Sequence, residues 1–462
     1  MNFCIVQDIP ENFPDIEDLK IYFCYENIIV ESIIDTKQNV KCIEIKGYVN
    51  KNSKQSLFET GRLIRPLLLI IQGILSLFLD IPITVYEIES TNYFKEVIAD
   101  EDLKEYVFKV GDRDFTQDLK KVLVKLNESQ NRNLSISILD RWRKNLNLEN
   151  EDIDGHLYRD ESLLGLFHIL ELLSENCAGE LKKEANRKIK ESLREYGSLM
   201  LIRESELEEY VNQNLSIISK SLDSNNPNFA TKIKYLLFKN GIISENEMYF
   251  VETIVKLRNG IAHGRILFQP VFRWPLTPFF NISKNITEAD MLRYLVKKLI
   301  GNFFGISSWD EEYAVIARNY LKPPFKKIRD FLAEPDKYKV ISANTLKTSI
   351  GNELGITWEN IFWSYLENHN KIKLDEITIP LKSFFLTLEI DEENIMDIFI
   401  ISVIFIESRD MEIATQCSTN MDILLTKGLI SKSDLLEITT ELDFYNINYD
   451  KYENFICSKT KR

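Results

Sequence analysis

Apolar residues recur at three- and four-residue intervals along most of this chain, the spacing of helices with one buried face. The first 130 residues differ. Stretches 21–34 and 40–49 are rich in β-branched and aromatic residues, with turn-formers Asp35 and Asn39 between them, and they predict strands. A third strand is expected at 83–88, with Pro82 at a strand start that tolerates it. Leu57–Leu79 has helical length, with Pro66 as a kink or as the start of its apolar half. A short amphipathic helix is expected at 118–127.

From about residue 131 the pattern turns helical. The polar run 129–133 marks a joint, and helices are expected at 133–146, 160–176, 181–196, 204–221 and 229–239, with an acidic loop at 149–155. In the helix at 160–176, His168, Glu171 and Glu175 are neighbours on the polar side, a solvated face or a base-and-ligand pair. After residue 264, Pro270, Pro275 and Pro278 enforce an extended aromatic segment, and Thr287 caps a last helix ending near Phe304. Beyond 309, helices are expected at 358–368, 395–406, 412–427 and 433–442.

A chain of 462 residues with 44% hydrophobic and 28% charged positions is globular and too long for one core. Three regions are expected: 1–130, a small α+β domain for sensing or docking; 131–308, a helical bundle; and 309–462, a helical accessory domain. The fold class is α+β, predominantly α-helical. A net charge of −14 excludes a general nucleic-acid coat but leaves room for a local basic site. Lys232, Lys234 and Lys239 precede the 244–264 stretch, and Lys256, Arg265 and Arg273 lie in or after it.

Six scattered cysteines show no Cys-x-x-Cys spacing, so no metal site or disulfide framework is expected, and no cofactor. The start of the chain has no basic, apolar leader pattern. The apolar run at 67–79 is too short to span a bilayer. A reduced, cytoplasmic protein with no membrane partner is expected.

The stretch 244–264 carries the chemistry. Ser244 and Glu247 have the spacing of a capping box, and Met248, Val251, Ile254, Val255 and Leu257 form an apolar face. Gly260 and Gly264 close it around His263, one of four histidines in the chain. Arg258 and His263 are five positions apart, so an unbroken helix points them about 140° away from each other. A bend at Gly260, which leaves helical geometry cheaply, is expected to let them converge on one anionic group. An imidazole that moves a proton near neutral pH and a guanidinium that grips a phosphate suit phosphodiester chemistry.

Leu257-Arg-Asn-Gly-Ile-Ala-His-Gly264 resembles the signature of HEPN domains, an Arg followed by a polar residue and then a His after four to six residues. The resemblance covers about residues 150–305, and it is most similar to the ApeA-like branch, which also follows a strand-containing N-terminal region. It implies a metal-independent endoribonuclease of a prokaryotic antiviral or toxin-type system, such as abortive infection, cutting RNA through its 2′-hydroxyl. By the same resemblance His263 moves the proton, Arg258 stabilises charge on the phosphate, and Asn259 orients the scissile group. Glu171, Lys256 and Arg265 are supporting residues. A homodimer is implied, with two motifs forming one site, and a phage-derived or regulatory trigger acting through the flanks. Two other readings remain on these residues: a non-catalytic RNA- or nucleotide-binding module, and a helical interaction scaffold.

Overall fold

The computed structural model describes residues 2–8, 18–35, 40–49, 56–84, 90–92, 105–151, 159–222, 227–242, 244–263, 286–342, 344–350 and 353–460. Two compact units divide the chain, one from 1–242, 253–268 and 280–319, the other from 243–252, 269–279 and 320–462.

The first unit opens with strands β1 (Asn2–Asp8), β2 (Lys20–Tyr25), β3 (Ile28–Asp35), β4 (Val40–Tyr48), β5 (Ser90–Asn92), β6 (Val107–Val110) and β7 (Arg113–Asp114). They form one antiparallel sheet in the order β5-β1-β4-β3-β2-β6-β7. The run at 21–34, expected as one strand, is a hairpin. Tyr25 stands opposite Ile28, and Glu26 turns the chain in left-handed backbone at φ 48°. Such two-residue loops need positive φ, and no glycine signals it here. Residues 83 and 84 of the third expected strand are not in a strand, and 85–89 lie outside the described residues.

Helix α1 (Leu57–Leu79) packs on this sheet. A capping box fixes its start: Ser56 Oγ accepts from the Glu59 N–H at 3.2 Å, and the Ser56 N–H donates to Glu59 Oε2 at 2.8 Å. Helix and strand approach closely at Gly47 of β4, where a Cβ would fall 1.9 Å from Ile64 Cδ1. Pro66 lies inside the helix. The apolar window of α1, Gly61–Leu79, is long enough to cross a bilayer, which corrects the shorter length read from 67–79. Of that window 61% is buried within the protein. Buried Ser76 accepts from the Ile83 N–H at 2.9 Å.

Then follow α2 (Thr116–Asn127), α3 (Ser129–Glu151), α4 (Arg159–Leu199), α5 (Glu204–Ser221), α6 (Phe229–Lys239), α7 (Glu245–Ala262), α8 (Ile286–Phe304) and α9 (Asp310–Tyr320). The polar run 129–133 is the first turn of α3 and not a joint. The acidic loop expected at 149–155 begins as helix, since α3 continues to Glu151, and 152–158 lie outside the described residues. The two helices expected at 160–176 and 181–196 are one helix of 41 residues, about 60 Å long. Gly179 does not break it, because neighbouring backbone hydrogen bonds continue through the position. Thr287 lies within α8 and not before it.

Helix α4 is the axis of the bundle, packing against α3, α5, α6 and α8. Helix α1 packs on α3, where a Cβ on Gly73 would meet Leu139 Cβ at 2.8 Å. The sheet-bearing segment and the helical bundle therefore share one unit, and no division falls near residue 130. Charged groups tie the same parts together. Asp80, in left-handed backbone after α1, pairs with Arg293 at 3.0 Å and with Lys297 at 3.1 Å. Arg293 also pairs with Glu149 of α3 at 3.0 Å.

The second unit contains α10 (Phe325–Ala333), α11 (Trp358–Asn368), α12 (Leu374–Leu386), α13 (Ile395–Phe405), α14 (Met411–Thr426), α15 (Lys432–Phe444) and α16 (Asp450–Thr460). An antiparallel sheet of β8 (Lys339–Ser342), β9 (Lys347–Ile350) and β10 (Glu353–Leu354) joins them in the order β10-β9-β8. Its core centres on Trp358, Phe362, Phe385 and Phe405, all fully buried, with the Phe385 and Phe405 rings 5.2 Å apart. The small sheet, α12 and α16 are not legible in the periodicity; Pro380 sits inside α12 and disguises it. The whole is α+β and predominantly α-helical, as the sequence predicts.

Candidate active site at the end of α7

Ser244 begins α7 by accepting from the Glu247 N–H at 3.4 Å, and its carbonyl accepts from the Met248 N–H at 3.1 Å. Phe250, Val251 and Ile254 are buried, as the apolar spacing requires. The end of the helix differs from expectation. Gly260 is buried and helical, α7 runs to Ala262, and the His263 N–H still donates to the Asn259 carbonyl at 3.2 Å. No bend forms at Gly260, because the helical hydrogen bond across it is retained. Arg258 and His263 thus leave one continuous helix about 140° apart.

Helix α4 supplies what holds Arg258. Its Nη2 donates to Glu171 Oε1 at 2.8 Å, and its guanidinium carbon lies 5.7 Å from the centre of the Phe229 ring. Asn259 Oδ1 is 3.4 Å from Arg258 Nη1. Glu171 and Arg258 side chains are each about one-third exposed, so the pair contributes on the order of 0–1 kcal/mol to stability. The ring adds about 0.5–1 kcal/mol at such a site. These contacts do little for folding but narrow the directions the guanidinium can take.

Phe229 is the residue that sequence reasoning missed. It opens α6 just after Asn228, whose Oδ1 caps the helix by accepting from the Thr231 N–H at 2.9 Å. Nothing in local spacing relates it to a residue 29 positions later. The structure brings Glu171, Arg258 and Asn259 together; His263 is exposed, and its ring has no partner among the described residues. Lys256 is exposed on the same helix. Arg265, Arg273 and the aromatic segment to Phe280 lie outside the described residues. Lys232 and Lys239, read as a basic flank, are engaged by Glu175 and Glu180 of α4. His168 is exposed on α4, one turn before Glu171. Among the described residues no three His, Cys, Asp or Glu side chains come together to hold a metal ion.

No family model, curated protein or solved structure matches the chain.

Proposed function

We propose that the chain is a HEPN-type, metal-independent endoribonuclease serving in prokaryotic antiviral or toxin-type defence, with Arg258, Asn259 and His263 as its catalytic residues. The observation that carries this is Arg258, held by Glu171 and Phe229 from two other helices at the end of α7, with an exposed histidine five residues on. In the proposed reaction the substrate's 2′-hydroxyl attacks the adjacent phosphorus. A cyclic phosphate forms, the bond to the 5′-oxygen breaks, and that oxygen leaves with a proton. His263 moves one of these protons, and Arg258 stabilises the charge gathering on the phosphoryl oxygens.

The divergence of Arg258 and His263 favours a homodimer in which two copies build the site. One straight helix cannot aim both at one phosphate, but two copies around a twofold axis present each group twice, from opposite sides. The same divergence favours a second reading if the protein acts alone: a module that grips a phosphate through Arg258 without cutting it. Purified wild type, Arg258→Ala and His263→Ala, each incubated with RNA, separate these. Endoribonuclease action predicts a loss of about 10²–10⁴-fold in cleavage for each variant, with folding unchanged. A chelator is expected to leave the wild-type rate as it was, because this chemistry needs only an imidazole and a guanidinium. Full cleavage by both variants would place the site elsewhere.

A further inference from the structure

The C-terminal half of α4 carries a second charged feature, away from Arg258. A cleft of about 450 Å³ between α4 and α5 is lined by Lys183, Asn186, Arg187, Lys190, Glu191 and Arg194 of α4 over Leu215 of α5. The four cations stand at intervals of four, three and four residues, so they form a row on one face of the helix. The row extends about 16 Å, at 1.5 Å per residue. Glu191 lies in the cleft with them, and Glu184 and Glu208 reach Arg187 and Arg194 from its margin, in a chain whose net charge is −14. Lys183 and Lys190, which pair with none of these carboxylates, make a local positive field that the bulk charge does not suggest.

The partners of these cations decide what the row can do. Arg187 pairs with Glu191 at 2.6 Å, and Arg194 with Glu208 of α5 at 2.6 Å. Lys183 and Lys190 have no ion pair with any described residue. Inside the cleft Ser219 Oγ donates to Asn186 Oδ1 at 3.1 Å, tying α5 to α4 beneath the row. A point anion needs one or two donors. Four cations along about 16 Å of a rigid helix suit a ligand whose negative charge is itself strung out in a line.

We infer that this cleft binds the phosphate backbone of single-stranded RNA. The ligand class rests on the ribonuclease reading above, and the site deepens it by giving that substrate a docking track separate from the reacting groups. Lys183 and Lys190 hold phosphates as unpaired cations, while Arg187 and Arg194 exchange their carboxylate partners for phosphate oxygens. Lys183, nearest to Arg258's partner Glu171, is twelve residues from it, about 18 Å along the axis of α4. The row also lies about 100–160° around α4 from Glu171, so the cleft is a track on a different face of the helix from the one that meets Arg258.

The test uses the full chain and a fluorescent 2′-O-methyl oligouridine of about 15 nucleotides, which offers phosphates but no attacking hydroxyl. Binding anisotropy is followed from low to moderate salt for wild type, Lys183→Ala/Lys190→Ala and His263→Ala. Neither lysine has a described partner, so thermal melts of wild type and the double variant are expected to coincide. The double variant is expected to bind at least about fivefold more weakly at low salt and to lose about 1.4 from the slope of log affinity against log salt. His263→Ala is expected to bind as wild type does. Equal affinity and slope in the double variant would overturn the inference, and so would a wild type that does not bind the oligonucleotide. The two readings fail separately: a chain that cuts RNA with both lysines dispensable keeps the α7 site and loses this cleft. One that binds through the lysines without cutting keeps the cleft and loses the α7 chemistry.

Discussion

Arg258 is positioned by residues far from it in sequence, and this makes Glu171 its most informative neighbour. The carboxylate orients the guanidinium but also competes with phosphate for it. Glu171→Ala removes the orientation and is expected to lower RNA cleavage about tenfold, the scale of one charge-assisted hydrogen bond. Glu171→Gln keeps an acceptor and removes the opposing charge, so it is expected to lose less, with tighter RNA binding than wild type. Cleavage and binding measured side by side separate the two effects; identical losses for both variants would leave Glu171 with no orienting role. Arg258, Asn259 and His263 are proposed from their spacing together with the resemblance to HEPN domains. Glu171 is legible only from its place on a polar face of the first long helix, and Phe229 not at all, because a ring contact across 29 residues leaves no periodic trace.

Elements follow the same division between local and distant causes. Helices α1, α5, α6 and α11 have the bounds that their apolar spacing predicts, with Ser56, Asn228 and Thr357 capping α1, α6 and α11. Helix α4 reads as two because its apolar stripe ends near Cys177 and a charged run follows at 181–196, yet packing along its length keeps it continuous. The β2–β3 turn is hidden because Glu26 carries the positive φ usually given to glycine or asparagine. In α13, burial pushes the Asp397 carboxyl up to about 6, helped by the charge of Glu359 and opposed by Lys347. A raised carboxyl favours the folded state while it is protonated, and that contribution is lost as pH rises through about 6. Asp397→Asn is therefore expected to stabilise the protein by about 1–2 kcal/mol at neutral pH, a value reduced for partial exposure to water. Denaturant unfolding is expected to show that gain shrinking towards zero near pH 4; a gain independent of pH would contradict the assignment.

At the scale of the molecule, the segment before residue 131 is part of the bundle's own unit. Leu139 and Trp142 of α3 are fully buried, and α1 packs on that helix. A fragment of 131–308 loses that cover, together with the Asp80 partner of Arg293 and Lys297. It is expected to be less stable and less soluble than the full chain, as circular dichroism melts and sedimentation can measure. Greater toxicity of such a fragment would support restraint by the flanks only if it melts like the intact protein.

The central claim is that Arg258 and His263 act on one RNA phosphate, contributed by paired copies. Mixing Arg258→Ala with His263→Ala tests it most directly, since a mixed dimer keeps one intact pair across the twofold axis. Each variant alone is expected to be inactive, and subunit exchange in an equal mixture is expected to restore cleavage to about a quarter of the wild-type rate. Wild-type cleavage by either variant alone, or no recovery in a mixture shown to contain mixed dimers, would contradict the shared site.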